Sequence, residues 1–503
     1  MVLALRSNVT IFWLLIFSRE TISDNGSIIT CLSDAFTVEN SRYLAIAVYL
    51  ASPSGEVKAL WVRRKPVYRL SRCPVRTIRK KVRTRKFSIR PGVTIVFFHD
   101  GDIMTSYRTN RSQVSLLAAL TIALFFILLN SGSPTPLYPL YQQTFALSNI
   151  DLTFIFSSYG FGVLLALFLS RRLTITDNNA RLLVVVSLLL VVVPTLCFSM
   201  ARSLQALCLF RFISGLGAGT ATAIINILLI KFSRGDSAKR AALLGSMALV
   251  TGLALGPVIG SVYAQLAFYP LTAPAMTVAA LVLLSAIAIV LLWPKKGLPA
   301  LGVADTKTAE KGAGFSQPLF YLLALCVFIS WSYAALILSL GPTAAIHVFG
   351  LKSAADFGYI ATGYLLVAGV VQFTIPRFLQ PEFSLVLGLI AQVFSMVMMT
   401  MALESGSVAG AAVSLALSGF SYGAVFVGGA ILVNKLSLAA PGWNAVSKFY
   451  FIVYLFNITP PAAGWLADNI GVLSALLAAI ALFMAIYIAF AALALWALLL
   501  RKA

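Results

Sequence analysis

Acidic residues are scarce in this 503-residue sequence: 16 Asp and Glu stand against 38 Lys and Arg, and histidine occurs only at His99 and His347. The five cysteines, Cys31, Cys73, Cys197, Cys208 and Cys326, form no CxxC pair and have no metal-like spacing with either histidine. The spacing gives no sign of a disulfide framework or a metal centre. No Walker-type phosphate loop occurs, so ATP-driven work has no cradle, and no acid, base and nucleophile set sits on a soluble domain. The chain reads as a non-enzyme without a cofactor. Charge of either sign is rare too, at 11% of residues, whereas 60% are hydrophobic and the mean hydropathy is +0.93. A soluble globular protein has no such balance, so the solvent for most of this chain is lipid.

The net charge of +22 is unevenly spread, with 17 of the 38 Lys and Arg preceding Met104. The apolar runs 9–17 and 43–51 are too short for a bilayer core, which takes about 20 helical residues. Residues 58–90 are dense in positive charge and interrupted by Pro66 and Pro74. Repulsion and proline breaks there argue for disorder. From Met104 a short polar stretch with Arg108 and Arg111 leads directly into a long apolar run. The expectation is that residues 1–103 are a basic, disordered leader or translated upstream sequence. The remaining cations cluster at the ends of apolar runs, which points to a membrane surface and to no nucleic-acid partner.

After Met104, runs of spanning length begin near residues 114, 152, 182, 204, 241 and 274, and again near 318, 356, 383, 408, 444 and 472. The polar stretch between the sets, 294–317, carries Lys295, Lys296, Asp305, Lys307, Glu310 and Lys311. The reading is an all-α polytopic membrane protein with twelve spans, six in 104–293 and six in 318–503, joined by a linker. Arg171, Arg172, Arg181, Lys231, Arg234, Lys239, Arg240, Arg377, Lys435, Lys448, Arg501 and Lys502 fall on the linker's side of the membrane, and only Arg202 and Lys352 on the other. Cytoplasmic loops retain Lys and Arg, so both termini are expected in the cytoplasm and the protein in the cell inner membrane.

The two sets repeat. A shift of 204 residues superposes Ser214 on Ser418, Gly215 on Gly419, Gly219 on Gly423, Pro257 on Pro461 and Gly260 on Gly464. A shift of 205 does the same for Ser148 and Ser353, Asp151 and Asp356, and Tyr159 and Tyr364. These matches fall at equivalent depths of equivalent spans, as a duplication would place them.

Two motifs carry chemistry. The fourth span holds Arg211-Phe-Ile-Ser-Gly215-Leu-Gly-Ala-Gly219. An arginine two turns into hydrocarbon costs at least ~2.5 kcal/mol unless it faces a polar interior, so Arg211 either faces a cavity or pins helix ends through carbonyl contacts. The fifth span holds Gly252-Leu-Ala-Leu-Gly256-Pro257-Val-Ile-Gly260, small residues that let helices approach closely around a bend. Together, over about residues 113 to 500, these motifs resemble the major facilitator superfamily, in particular its bacterial twelve-helix drug and metabolite antiporter branch. The resemblance implies a monomeric secondary transporter that moves a small organic solute, with a proton or another ion coupled to it, through a site between two halves.

Two departures from the family pattern stand out. The loop after the second span usually carries an acid and several cations that latch the halves, but here it reads Arg171-Arg-Leu-Thr-Ile-Thr-Asp177, where Asp177 substitutes only with a shift of two. The first span, where proton-driven members often carry an aspartate, has Asn130, which exchanges no proton near neutral pH. Asp151, Asp356, Glu382, Glu404 and Asp468 all fall near span ends.

Polar and aromatic residues within spans mark the candidate lumen. The first span offers Asn130 and Tyr138 around Pro134, Pro136 and Pro139, which forbid a regular helix in its outer half. The eleventh offers Tyr450, Tyr454 and Asn457 on one helical stripe with Pro461. Tyr159, Trp331, Tyr333, Tyr364, Gln372 and Tyr422 complete the set. The expected pocket is aromatic, with one cation at Arg211, and suits amphipathic or weakly anionic molecules. Export by alternating access is the leading expectation. An uncoupled facilitator or uptake carrier and a non-transporting sensor or scaffold are the alternatives.

Overall fold

The computed structural model describes residues 111–170, 175–176, 179–231, 236–294, 316–439, 443 and 445–500, together with nine short strands between Leu3 and Phe97. The chain divides into two compact units, Met1–Arg108 and Thr109–Ala503. The first unit bears its strands in four small antiparallel sheets of two or three strands. The rest of the leader, the linker 295–315 and Asp177 lie outside the described residues.

Every regular element described in the second unit is helical. The first half contains α1 (Arg111–Gly132), a 3-10 turn (Thr135–Leu137), α2 (Tyr138–Phe145), α3 (Asn149–Ser170), α4 (Ala180–Met200), α5 (Leu204–Lys231), α6 (Asp236–Gln265) and α7 (Ala273–Leu292). The second contains α8 (Gln317–His347), α9 (Ala354–Phe378), α10 (Pro381–Ser405), α11 (Val408–Ala439), α12 (Ala445–Tyr454), a 3-10 turn (Leu455–Ile458), α13 (Thr459–Ile470) and α14 (Val472–Leu500). Among the described residues, eleven stretches can cross a membrane by length and composition. The twelfth crossing is the segment 445–470, which the turn at Leu455–Ile458 splits into two short helices.

That split corrects the expectation of one continuous stripe along the eleventh span. Pro460 and Pro461 have no N–H, so the carbonyls of Phe456 and Asn457 lose their helical donors. Thr459 Oγ1 donates to the Phe456 carbonyl at 2.7 Å in place of the lost donor, and Asn457 Nδ2 donates to the Tyr454 carbonyl at 2.8 Å. Asn457 turns inward and is buried, whereas Tyr450 and Tyr454 stay half-buried. The expected irregularity of the first span is present as the break between α1 and α2.

Each half has its own apolar core. Leu120, Leu124, Ile127, Val184, Leu188 and Val282 centre the first, and Phe320, Val327, Leu340, Leu389, Met396 and Phe449 the second. Large residues such as Phe168, Leu182, Phe394 and Trp496 remain exposed on the outside, as lipid-facing positions do. Glycine seams bring helices together within each half. A Cβ on Gly215 would collide with the Tyr159 carbonyl, and one on Gly419 with the Tyr364 carbonyl. The duplicated residues thus make the same contact twice, between α3 and α5 and between α9 and α11. The two seams continue one turn on, where a Cβ on Gly219 would press on Ala166 and Val163, and one on Gly423 on Ala368 and Val371.

Candidate functional site

The proline run of the first span creates the site. Pro134 lacks the N–H that would bond the Asn130 carbonyl, and Pro136 lacks the one for Gly132, so α1 ends at Gly132 with free acceptors in a buried place. Ser133 Oγ reaches the Asn130 carbonyl at 3.4 Å, and Arg211, on α5, donates to two carbonyls at this end. Its Nη1 donates to the Asn130 carbonyl at 3.4 Å and its Nη2 to the Ser131 carbonyl at 3.1 Å. The side chain is only 4% exposed. The guanidinium also lies over the Tyr159 ring, 4.6 Å from its centroid, and 5.9 Å from that of Phe198, a contact that partly offsets a desolvated cation.

Beside it, Asn130 Nδ2 donates to Thr195 Oγ1 at 3.1 Å and to Ser214 Oγ at 2.9 Å, and the two hydroxyls are 3.3 Å apart. A cavity of about 10 Å³ opens among Asn130, Ser133, Thr195, Phe198, Arg211 and Ser214. All these residues belong to the first half. Arg211 therefore acts inside one bundle, on the broken span, where the sequence pattern alone also allowed it to face a lumen between the halves.

The aromatic residues divide into two groups. Trp331 stacks on Tyr422 at 6.0 Å and meets Phe426, Tyr454 and Phe456 at 5.5 Å each, and Tyr364 meets Tyr422 edge-on at 6.2 Å. These rings gather on α8, α9, α11 and around the break in the eleventh span, and α8 and that break also touch α3 of the first half. Tyr333 lies apart from them. It packs on Phe483 and lines a cavity of about 60 Å³ with Ile337, Met399, Leu403 and Leu415, inside the second half. Tyr138 is fully buried against Phe156, Tyr450 packs on Phe449, and Gln372 is half-buried on α9.

The halves meet along two seams. Asp468, at the end of α13, accepts hydrogen bonds from Asn149 N at 2.9 Å, Asn149 Nδ2 at 2.8 Å and Ile150 N at 2.9 Å. Its carboxylate satisfies two of the free N–H groups at the start of α3 and opposes the positive end of that helix. Gly464 fits against Thr153 and Asn149 on the same seam. On the other seam Ser261 Oγ donates to the Ala355 carbonyl at 2.8 Å and the Tyr359 hydroxyl to Gln265 Oε1 at 2.7 Å, with Gly358 against Ser261 and Pro136. Successive spans alternate in direction, so both seams lie at the end of the bundle away from the linker. These hydrogen bonds close the two halves against each other at that end.

Known proteins share this architecture of two helical bundles. The sequence profile of the Major Facilitator Superfamily matches residues 120–441. The chain belongs to that superfamily. A stretch of 185 residues is 27% identical to the multi-drug resistance efflux pump PmrA homolog of Lactococcus lactis subsp. lactis (strain IL1403), covering 34% of this chain and 45% of that pump. The match thus spans less than half of the pump's own length. In fold, this superfamily member is similar to a bacterial homolog of the human lysosomal transporter Spinster, in an inward-facing and occupied conformation, with a TM-score of 0.59 and 16% identity over 78% of this chain and 97% of that one. It is also similar to the nucleoside transporter NupG, with a TM-score of 0.55 and 13% identity over 76% of this chain and 98% of that one.

Sequence reasoning singled out Arg211, Asn130 and the glycine motifs, and it assigned no contact to Thr195, Ser214, Asp468 or Asn149. Ser214 entered only as a duplicated position and Thr195 not at all, and the proline at 134 was the signal that a donor was needed nearby. Asp468 and Asn149 are 319 residues apart, and neither carries a local mark of the contact.

Proposed function

We propose that this superfamily member exports a small organic solute across a lipid bilayer by alternating access. The observation that carries the reading is the closure of the halves at the end away from the linker, through Asp468 on α3 and Ser261 on α9. Such a bundle passes a solute when those seams part and the opposite end closes. The half-buried rings around Trp331 offer a flat apolar surface for an amphipathic body. The similarity to a named efflux pump supports outward movement. The cation distribution supports cytoplasmic termini and the inner membrane.

Coupling favours a second reading of the same fold. Asp151, Asp356, Glu382, Glu404 and Asp468 all lie in the first or last turns of their helices, away from the membrane centre. A facilitator without proton exchange fits that placement. Purified protein in vesicles, given a mixture of organic solutes, tests both. Flux that grows with an imposed pH gradient supports coupled export, and flux indifferent to the gradient supports the facilitator. No flux of any solute, with the protein folded, supports a sensor or scaffold.

A further inference from the structure

We propose that the pocket beside Arg211 binds a single monatomic anion, chloride in ordinary media. The case rests on charge and on hydrogen-bond donors, independently of which solute the protein moves.

Arg211 brings a full positive charge into a buried place, and both of its hydrogen-bond partners, the Asn130 and Ser131 carbonyls, are neutral. Among the described residues no carboxylate pairs with it. The Tyr159 and Phe198 rings offset part of that charge only. The guanidinium Nε is buried and makes no hydrogen bond. The neighbouring hydroxyls leave a donor over as well. Both protons of Asn130 Nδ2 go to Thr195 and Ser214, and these two hydroxyls share one further bond, so one hydroxyl proton remains without an acceptor in the network. The Tyr138 hydroxyl stands beside the guanidinium, and its proton too is buried without an acceptor.

A cavity lined by Asn130, Ser133, Thr195, Arg211 and Ser214 therefore collects surplus donors around a cation. Its volume, about 10 Å³, is room for one water-sized particle and excludes an organic acid. A water leaves the guanidinium charge unbalanced, whereas a halide accepts from the cavity's free hydroxyl donor and balances the cation that lines it.

Thermal unfolding of the purified protein in sodium chloride, bromide and gluconate at one ionic strength tests the assignment. Chloride and bromide are expected to raise the melting temperature in a saturable way, and gluconate, too large for the pocket, to leave it unchanged. Thr195→Val removes a donor and keeps the carbonyl contacts of Arg211, so it should weaken the halide effect about tenfold. Ser214→Ala is the second variant, should Thr195→Val fail to fold. Bromide should also give an anomalous-scattering peak beside Arg211. An equal rise in gluconate, or a chloride effect of unchanged midpoint in both variants, would overturn the proposal.

Discussion

Superposed by 204 residues, the two halves place Ser133, Thr195 and Arg211 of the first on Ile337, Met399 and Leu415 of the second. The first three line the small polar cavity, and the second three line the larger apolar one. One niche of a duplicated bundle has thus become charged in one copy and oily in the other. The first span explains the difference. Pro134 and Pro136 correspond to Leu338 and Leu340, and α8 runs from Gln317 to His347 through the matching level, its internal proline standing further on at Pro342. At this level the first span stops and Arg211 stands against its last carbonyls, whereas α8 continues as a helix.

The contrast can be broken at several points. The largest effect is expected from Gly215→Val and Gly419→Val, because each added side chain meets a backbone carbonyl, of Tyr159 or Tyr364, that has no room to move. Both variants should abolish recovery of monodisperse protein on size-exclusion chromatography. If one folds normally, the seams are not equivalent. Next comes Arg211→Leu, which gives the first niche the residue of the second. It leaves the Ser131 carbonyl without its side-chain donor and the Asn130 carbonyl with Ser133 Oγ alone, at a cost of about 2 kcal/mol. Pro134→Ala restores an N–H for Asn130 and should recover part of that loss, measurable as a double-mutant cycle in thermal unfolding. Additive losses would separate the arginine from the break.

Smaller effects follow at the seams and in the oily niche. Asp468→Ala removes the acceptor for the first N–H groups of α3, worth about 1 kcal/mol, and should raise far-side accessibility to a thiol reagent about fivefold at a cysteine placed at Thr153. Tyr333→Phe should be nearly neutral to unfolding, since its hydroxyl is buried with no partner to lose.

Much of this was legible in the sequence because lipid imposes long apolar runs and leaves polar exceptions conspicuous. The spans, the irregular first span and the importance of Arg211 all follow from that constraint. The direction in which Arg211 works was harder to read, since depth in a helix fixes its height and leaves open which neighbour it faces. The break in the eleventh span was foreshadowed by Pro460 and Pro461, yet a spacing of four, three and four from Tyr450 to Pro461 suggested an unbroken stripe. Asp468 stayed hidden because a carboxylate near a helix end looks the same whether it faces water or caps another helix.

The central claim is that the halves move as two bodies, with the end now closed opening as the other shuts. Spin-label pairs in a cysteine-free background measure it directly, one across the far side at Leu266 and Lys352 and one across the linker side at Ser170 and Lys448. In lipid, the account expects a second population in which the far-side distance lengthens while the linker-side distance shortens. Distances that stay single-valued at both ends, or that lengthen together, would contradict it.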